Sequence, residues 1–484
     1  MTTLEQALHI FRKDARHLRW EIAGVLLLLL VLILSGAETW EAVQEQGRSN
    51  SGGEDPISFL LPVAWSLLIA RAIQTEALPG DRHFWLTRPY SRAGLMLSKA
   101  LFIVAFVNLP FMLAQAAIVY VDGLPLLSNL AGLLWNQVLI SIILLLPVAA
   151  IAALTRNLAQ FLPAVVLTAG LLAGPVGDRS FFYLEWVRSS LGLSIGVAIA
   201  ALVVWRQYRL RRSGNTALLA IGATIAGIIL YLSFPRSAAF AVQSRLMGSH
   251  DGKFALSLAK AAPRKPETAA VNRYRQLLVL PLDVVGATPQ DVQLGPIDVT
   301  FKTLSGITRR APANVEVVGD KLMFKTFVDR RFFEAAKDSP VSLRAEFYLT
   351  LIGNPRSAEA PLDGTPIYIS GPGQCGAVAG YDERRFVCRS AFRGPQWFLS
   401  DRLQPRFPDS GAGYSPFPAH LRIYPVAAVT YQLQGADELA PAAPERPATL
   451  LVRDPVAFFR YTMEAADLRL GDFAVTEPDQ DAGQ

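Results

Sequence analysis

Seven apolar stretches succeed one another before residue 235, and none occurs after it. They cover roughly residues 22–36, 57–73, 100–121, 130–154, 159–176, 190–205 and 217–234, each near the length an α-helix needs to cross a hydrocarbon layer about 30 Å thick. A segment in lipid must satisfy its own backbone, which selects helices. The first half of the chain therefore reads as a polytopic helical bundle and the second as a separate water-facing domain.

Composition follows the same division. The 484 residues are 51% hydrophobic and 18% charged, with a net charge of +6, and the charged residues are concentrated after Pro235. The arginines gather beside the apolar stretches and do not form one basic face with interleaved aromatics, so the excess marks topology and not nucleic-acid binding.

Loop charges orient the bundle. Arg12, Lys13, Arg16 and Arg19 precede the first span, whereas the next loop carries Glu38, Glu41, Glu45, Glu54 and Asp55 against Arg48 alone. By the bias of cationic loops toward the cytoplasm, the N-terminus is expected inside. Arg82, Arg88, Arg92 and Lys99, then Arg156, then Arg206, Arg209, Arg211 and Arg212 recur at every second loop, as alternation requires. The turn at Asp122 and the loop 177–188 face outward, and an odd span count places everything after Phe234 outside the cytoplasm, in a cell membrane. The leader 1–21 shows helical spacing of Leu4, Leu8, Phe11, Ala15 and Leu18 opposite its cations, which fits a helix lying along the membrane surface. The small residues Ser35, Gly36 and Ala37 would also suit a signal-peptidase site. Trp20 and Trp40 sit where anchors of a retained helix belong.

The spans offer little chemistry. Their polar interior residues are mainly Asn108, Gln115, Asn136 and Gln137, with Arg71 near a cytoplasmic end. Ion-coupled transport uses intramembrane ionisable groups, and His9, His17, His83, His250 and His420 all lie outside the spans. The four amides are candidates to line a route for an amphipathic substrate, or else to bond helix to helix. Gly170 with Gly174, and Gly192 with Gly196, allow close helix approach, while Pro62, Pro110, Pro147 and Pro163 would kink or break four helices.

Between the second and third stretches lies a loop with Pro79, Gly80, Asp81, Arg82, Phe84, Trp85, Leu86, Arg88, Pro89, Ser91 and Arg92, leading to Lys99. A Pro-Gly turn opens it, Phe84 and Trp85 form an apolar knob, and Arg88 and Arg92 fall one helical turn apart. Such a knob flanked by cations suits docking into a groove of a partner, or seating at lipid headgroups. Through Leu86, Arg88, Pro89, Ser91, Arg92 and Lys99 the region resembles the permease subunits of type-2 ABC exporters. That resemblance covers about the first two-fifths of the chain. It implies a surface-lying N-terminal helix, six spans, a loop that engages a cytoplasmic ABC ATPase subunit, and pairing with a second permease subunit in a homodimer or heterodimer. The chain departs from that plan by a seventh span and a large C-terminal half.

No Gly-x-x-x-x-Gly-Lys-Ser/Thr loop occurs, so this chain carries no P-loop to cradle ATP phosphates. No cofactor is expected in it, and ATP with Mg would be bound by the separate ATPase. The Gly371, Gly373, Gly376 match to a dinucleotide motif contains Pro372 and precedes no long helical pattern, so it reads as a turn.

After a linker at 235–276, short segments rich in Val, Ile, Phe and Tyr recur at 277–285, 292–304, 321–327, 341–352, 365–370, 385–392, 421–424, 429–433 and 449–453. This pattern predicts one all-β, sandwich-like extracytoplasmic domain over 277–477, or two small sandwiches, with a frayed tail at 478–484. Cys375 and Cys388, the only cysteines, fall within it, as a disulfide-permissive compartment would allow. A bond between them would contribute about 3 kcal/mol on the chain-entropy model; two free thiols are the other reading. The expected architecture is thus an interfacial helix (1–21), a permease-like helical bundle of about seven spans (22–234), the linker and the β-rich domain. Two functions fit: the membrane subunit of an ATP-driven exporter, or a membrane-anchored binding or assembly protein with a permease-like bundle. An enzyme in the outer domain lacks a nucleophile, base and orienting group at recognisable spacing.

Overall fold

A computed structural model describes residues 2–36, 56–75, 91–176, 186–210, 213–247, 254–259, 274–287, 292–318, 321–361, 363–369, 373–379, 384–392, 397–399, 403–405, 423–433 and 448–475. The N-terminal half is helical and the C-terminal half is rich in strands gathered into sheets. The chain divides into two compact units, Met1–Phe234 with Ser357–Val452, and Pro235–Arg356 with Arg453–Gln484.

In the first unit, α1 (Thr3–His17) begins at a capping box in which Thr2 and Glu5 satisfy each other's backbone N–H. α2 (Arg19–Gly36) and α3 (Pro56–Gln74) follow. Next come the long helices α4 (Arg92–Val121) and α5 (Leu126–Leu154), then α6 (Leu158–Val176), α7 (Trp186–Leu210) and α8 (Ser213–Ser233). Among the described residues, α2, α4, α5 and the Ser190–Arg209 part of α7 are long and apolar enough to cross a membrane. Phe59–Gln74, Leu158–Thr168 and Asn215–Tyr231 are shorter apolar helices. The core holds fully buried Trp65, Phe102, Phe111 and Phe161, with Trp65 edge-on to Phe111 at 4.8 Å.

Pro110 and Pro147 do not break their helices. A proline removes one N–H and crowds the carbonyl four residues back, and each helix answers with one π turn just before its Leu-Pro pair, at Val104–Asn108 and Ser141–Leu145. Leu109 N–H donates to the Val104 carbonyl and Leu146 N–H to that of Ser141. Pro62 stays within α3, where the Ser66 hydroxyl donates to the Pro62 carbonyl at 2.7 Å.

α1 buries a different stripe from the one its apolar spacing suggests. Ala7, Ile10, Asp14 and Leu18 are buried, while Leu4 and Leu8 are exposed. The reason is Asp14, whose buried partner described below draws that face inward.

The linker 235–276 is partly structured: it carries α9 (Arg236–Met247) and β1 (Ala255–Leu258), and β1 pairs antiparallel with β2 (Arg275–Val285). The further strands are β3 (Val292–Thr303), β4 (Thr308–Val318), β5 (Lys321–Asp329), β6 (Val341–Ala360), β7 (Ile367–Ile369), β8 (Gly373–Ala379), β9 (Arg384–Ala391), β10 (Trp397–Leu399), β11 (Leu403–Pro405), β12 (Val426–Leu433) and β13 (Ala448–Leu468). One sheet of eight strands runs β1-β2-β5-β4-β3-β6-β13-β10, and a second of five runs β11-β12-β9-β8-β7. In the second unit Phe301, Phe324 and Phe347 fill the buried face of the larger sheet, and α10 (Arg330–Ala336), capped by Asp329, brings Phe332 and Phe333 against it. Residues 357–452, part of the β-rich stretch 277–477, group with the helices. The 421–424 segment forms no strand in its described residues, and the tail 478–484 lies outside them.

Candidate functional site

Three polar assemblies, all within the first unit, lie along α4. At its N-terminal end Ser91 caps the helix by accepting the Gly94 N–H, and its own N–H donates to Gln6 Oε1 at 3.0 Å. At the next residue, Arg92 Nη1 donates to the Arg209 carbonyl of α7 at 2.6 Å. Two turns further, Lys99 Nζ lies 2.7 Å from Asp14 Oδ2, with the side chains 5% and 1% exposed. Phe11 of α1 stacks on Phe106, inside the π turn, at 5.6 Å between centroids. A buried pair of this kind holds its helices in one register, because removing either partner strands the other charge.

Two turns before the C-terminal end of α4, Gln115 is fully buried and accepts at Oε1 from Asn136 Nδ2 at 3.1 Å and Gln137 Nε2 at 3.2 Å. The two π turns are joined as well: Asn108 Nδ2 donates to Ser141 Oγ at 2.7 Å, and that hydroxyl donates to the Gln137 carbonyl at 2.8 Å. The four amides expected to line a pathway thus converge on one α4–α5 seam. Gln137 Oε1 remains buried with no hydrogen-bond partner, a state that costs about 1–3 kcal/mol unless something polar reaches it.

At the other end the five-stranded sheet sits on the helices. Arg389 of β9 lies 2.7 Å from Asp122, the residue that closes α4, with side chains 3% and 0% exposed. Gln115 Nε2 donates to the Ile423 carbonyl at 3.1 Å. Val119, Leu124 and Leu133 pack with Ala391 and Phe392 in one apolar cluster. Glycines make the approach possible: a Cβ on Gly132 would come within 2.7 Å of Phe392 Cβ, and one on Gly36 within 2.6 Å of the Tyr424 ring. Phe392 itself adopts φ 56°, a region unfavourable for a bulky side chain, and its N–H donates to the Pro425 carbonyl at 2.9 Å.

Cys375 and Cys388 form a disulfide, facing each other across β8 and β9 next to the Gln374–Arg389 pair. Gly373, read from sequence as part of a turn, opens β8 with φ +94°, and a side chain there would run into the Arg389 carbonyl. Glycine is therefore required where β8 passes the residue that anchors the sheet.

Of the motif loop, Ser91 and Lys99 join α4 to α1 and Arg92 ties α4 to α7; Gly80, Asp81, Arg82, Phe84, Trp85, Leu86, Arg88 and Pro89 lie outside the described residues. Sequence reasoning missed Gln6, Asp14 and Arg389. Asp14 carried one signal, an acid in line with Ala7, Ile10 and Leu18; Arg389 carried none. No group of three or more His, Cys, Asp or Glu side chains suited to a metal occurs among the described residues. No family model, curated protein or solved structure matches the chain.

Proposed function

We propose that this chain is the membrane permease subunit of an ATP-driven ABC exporter, with ATP and Mg held by a separate cytoplasmic ATPase and a second permease subunit completing the assembly. The observation that carries the reading is the joint at Ser91, Arg92 and Lys99. These residues follow directly on the loop that resembles the ATPase-docking element, and they tie it to α1 through Gln6 and Asp14 and to α7 through the Arg209 carbonyl. Motion imposed on the loop would enter the bundle as motion of α4, the work a coupling element must do. In this reading the four long and three shorter apolar helices make seven spans, with the N-terminus in the cytoplasm and the β-rich half outside. The Cys375–Cys388 disulfide and the basic loops support that orientation. The open Gln137 acceptor, on the α4–α5 seam, is the point at which a polar substrate group would be recognised.

A second reading, a membrane-anchored binding or assembly protein that does not transport, is favoured by one observation. Gln115, Asn136 and Gln137 spend most of their hydrogen bonds on one another, which is how polar residues glue helices. Purification in mild detergent with mass spectrometry of co-eluting proteins separates the two, comparing wild type with Trp85→Ala/Arg88→Ala. An ATPase that co-elutes with wild type and is lost from the variant supports the exporter; its absence from both leaves the anchor.

A further inference from the structure

Helix α4 is fixed at both ends by buried ion pairs to elements that are not its neighbours in sequence. Lys99 meets Asp14 of α1, and Asp122 meets Arg389 of the five-stranded sheet. The 23 residues from Lys99 to Asp122 span about 35 Å at 1.5 Å per residue, a little more than the hydrocarbon thickness, so each pair sits near one membrane boundary. Between them lie the π turn and Pro110, the one place where the backbone ladder of α4 is already irregular. Phe11 of α1 stacks on that turn through Phe106.

We infer that α4 is a transmission rod: it carries displacement of α1 to the five-stranded sheet, which closes the Asp122 end of the bundle as a lid. The description of one end as cytoplasmic rests on the exporter reading; the mechanical link does not. Three features make the lid a discrete element rather than a loose covering. Its charge partner is buried, its Ile423 carbonyl is held by Gln115 inside the bundle, and Phe392, at φ 56°, seats against α5 at Gly132. When the Lys99–Asp14 pair breaks, α4 is free to pivot at the π turn, Gln115 and Asp122 move together, and both ties to the sheet loosen. Interfaces with two discrete packings amplify small shifts in this way.

The test uses the full chain in lipid nanodiscs, without an ATPase, so that its failure is distinct from failure of the exporter reading. Cys375 and Cys388 are bonded to each other, so a single Leu133→Cys, placed beneath Phe392 where Leu133 is 1% exposed, reports lifting of the sheet through its rate of reaction with a water-soluble maleimide. Arg389→Met, which frees the sheet locally, calibrates the open state. Lys99→Met, about 35 Å away, is expected to raise the Leu133→Cys rate about tenfold or more. A control thiol at Ile69→Cys in α3, fully buried, should keep its rate. If Lys99→Met leaves the Leu133→Cys rate at the wild-type value while Arg389→Met raises it, the sheet is docked independently of α1 and the rod is refuted. If both thiols speed up together, the bundle has loosened as a whole, and that refutes it too. Should Lys99→Met fail to fold, Asp14→Asn, which keeps the side-chain size, puts the same question.

Discussion

Ion pairs of nearly the same length do opposite things in the two units. In the first, Lys99–Asp14 and Arg389–Asp122 are both 2.7 Å long and nearly inaccessible. In the second, Arg460–Glu346 is 2.8 Å long with side chains 39% and 23% exposed, and Lys337–Glu334 is 3.0 Å long and open to water. Water screens the second group and leaves each worth little. In the first group both charges have given up hydration, so the pair is costly to assemble and costlier to break by halves. Length alone is therefore no guide to importance: the buried pairs specify where α4 meets α1 and the five-stranded sheet, and the exposed ones lie on a sheet and a short helix whose packing their phenylalanines already determine.

The contrast can be broken most forcefully at Arg389. Arg389→Met should lower unfolding stability in detergent by about 3–5 kcal/mol, and Asp122→Leu added to it should recover most of the loss, because a packed apolar pair replaces a stranded carboxylate. Equilibrium unfolding of the three proteins checks this; an unrescued double variant would mean that the charges serve more than each other. Gly132→Ala should cost about 1–3 kcal/mol through its clash with Phe392, read as a lower midpoint of thermal unfolding. Arg460→Ala, in the second unit, should cost at most about 1 kcal/mol, and less in high salt.

The smallest effect is a pH dependence. Hydrogen bonding to Glu334 and its charge raise the Lys337 pKa above the ordinary lysine value. A raised folded-state value means that the contribution is complete below the unfolded lysine pKa and disappears as pH climbs through the folded one. A shallow loss of stability confined to the alkaline limb is expected, and Lys337→Met should abolish it. A loss on the acid side that follows the same substitution would contradict the assignment.

What could be read from the sequence was whatever acts locally. The apolar stretches announced the helices, because hydropathy over a turn or two decides whether a segment enters lipid. The prolines announced irregularity in α4 and α5, though not its form, since a π turn depends on which carbonyl can be re-satisfied. β4 escaped notice because Arg309, Arg310, Pro312 and Asn314 interrupt any strand-like alternation; it is held by pairing with β3 on one side and β5 on the other. β13 runs 21 residues where only 449–453 looked strand-like. The α4–α5 amides were visible as unusual residues in apolar company, yet their convergence on Gln115 is a matter of helix register. Arg389 looked like any charged strand residue, because the acid that needs it lies 267 positions earlier.

That separation has a consequence for how the protein is made. At roughly 5–20 residues per second, synthesis reaches Arg389 on the order of tens of seconds after Asp122 has left the ribosome. Throughout that interval the Asp122 carboxylate awaits Arg389 and the Gln115 Nε2 group awaits the Ile423 carbonyl. A ribosome stalled between Phe234 and Arg389 would leave a product with every apolar helix made and its Asp122 end uncapped.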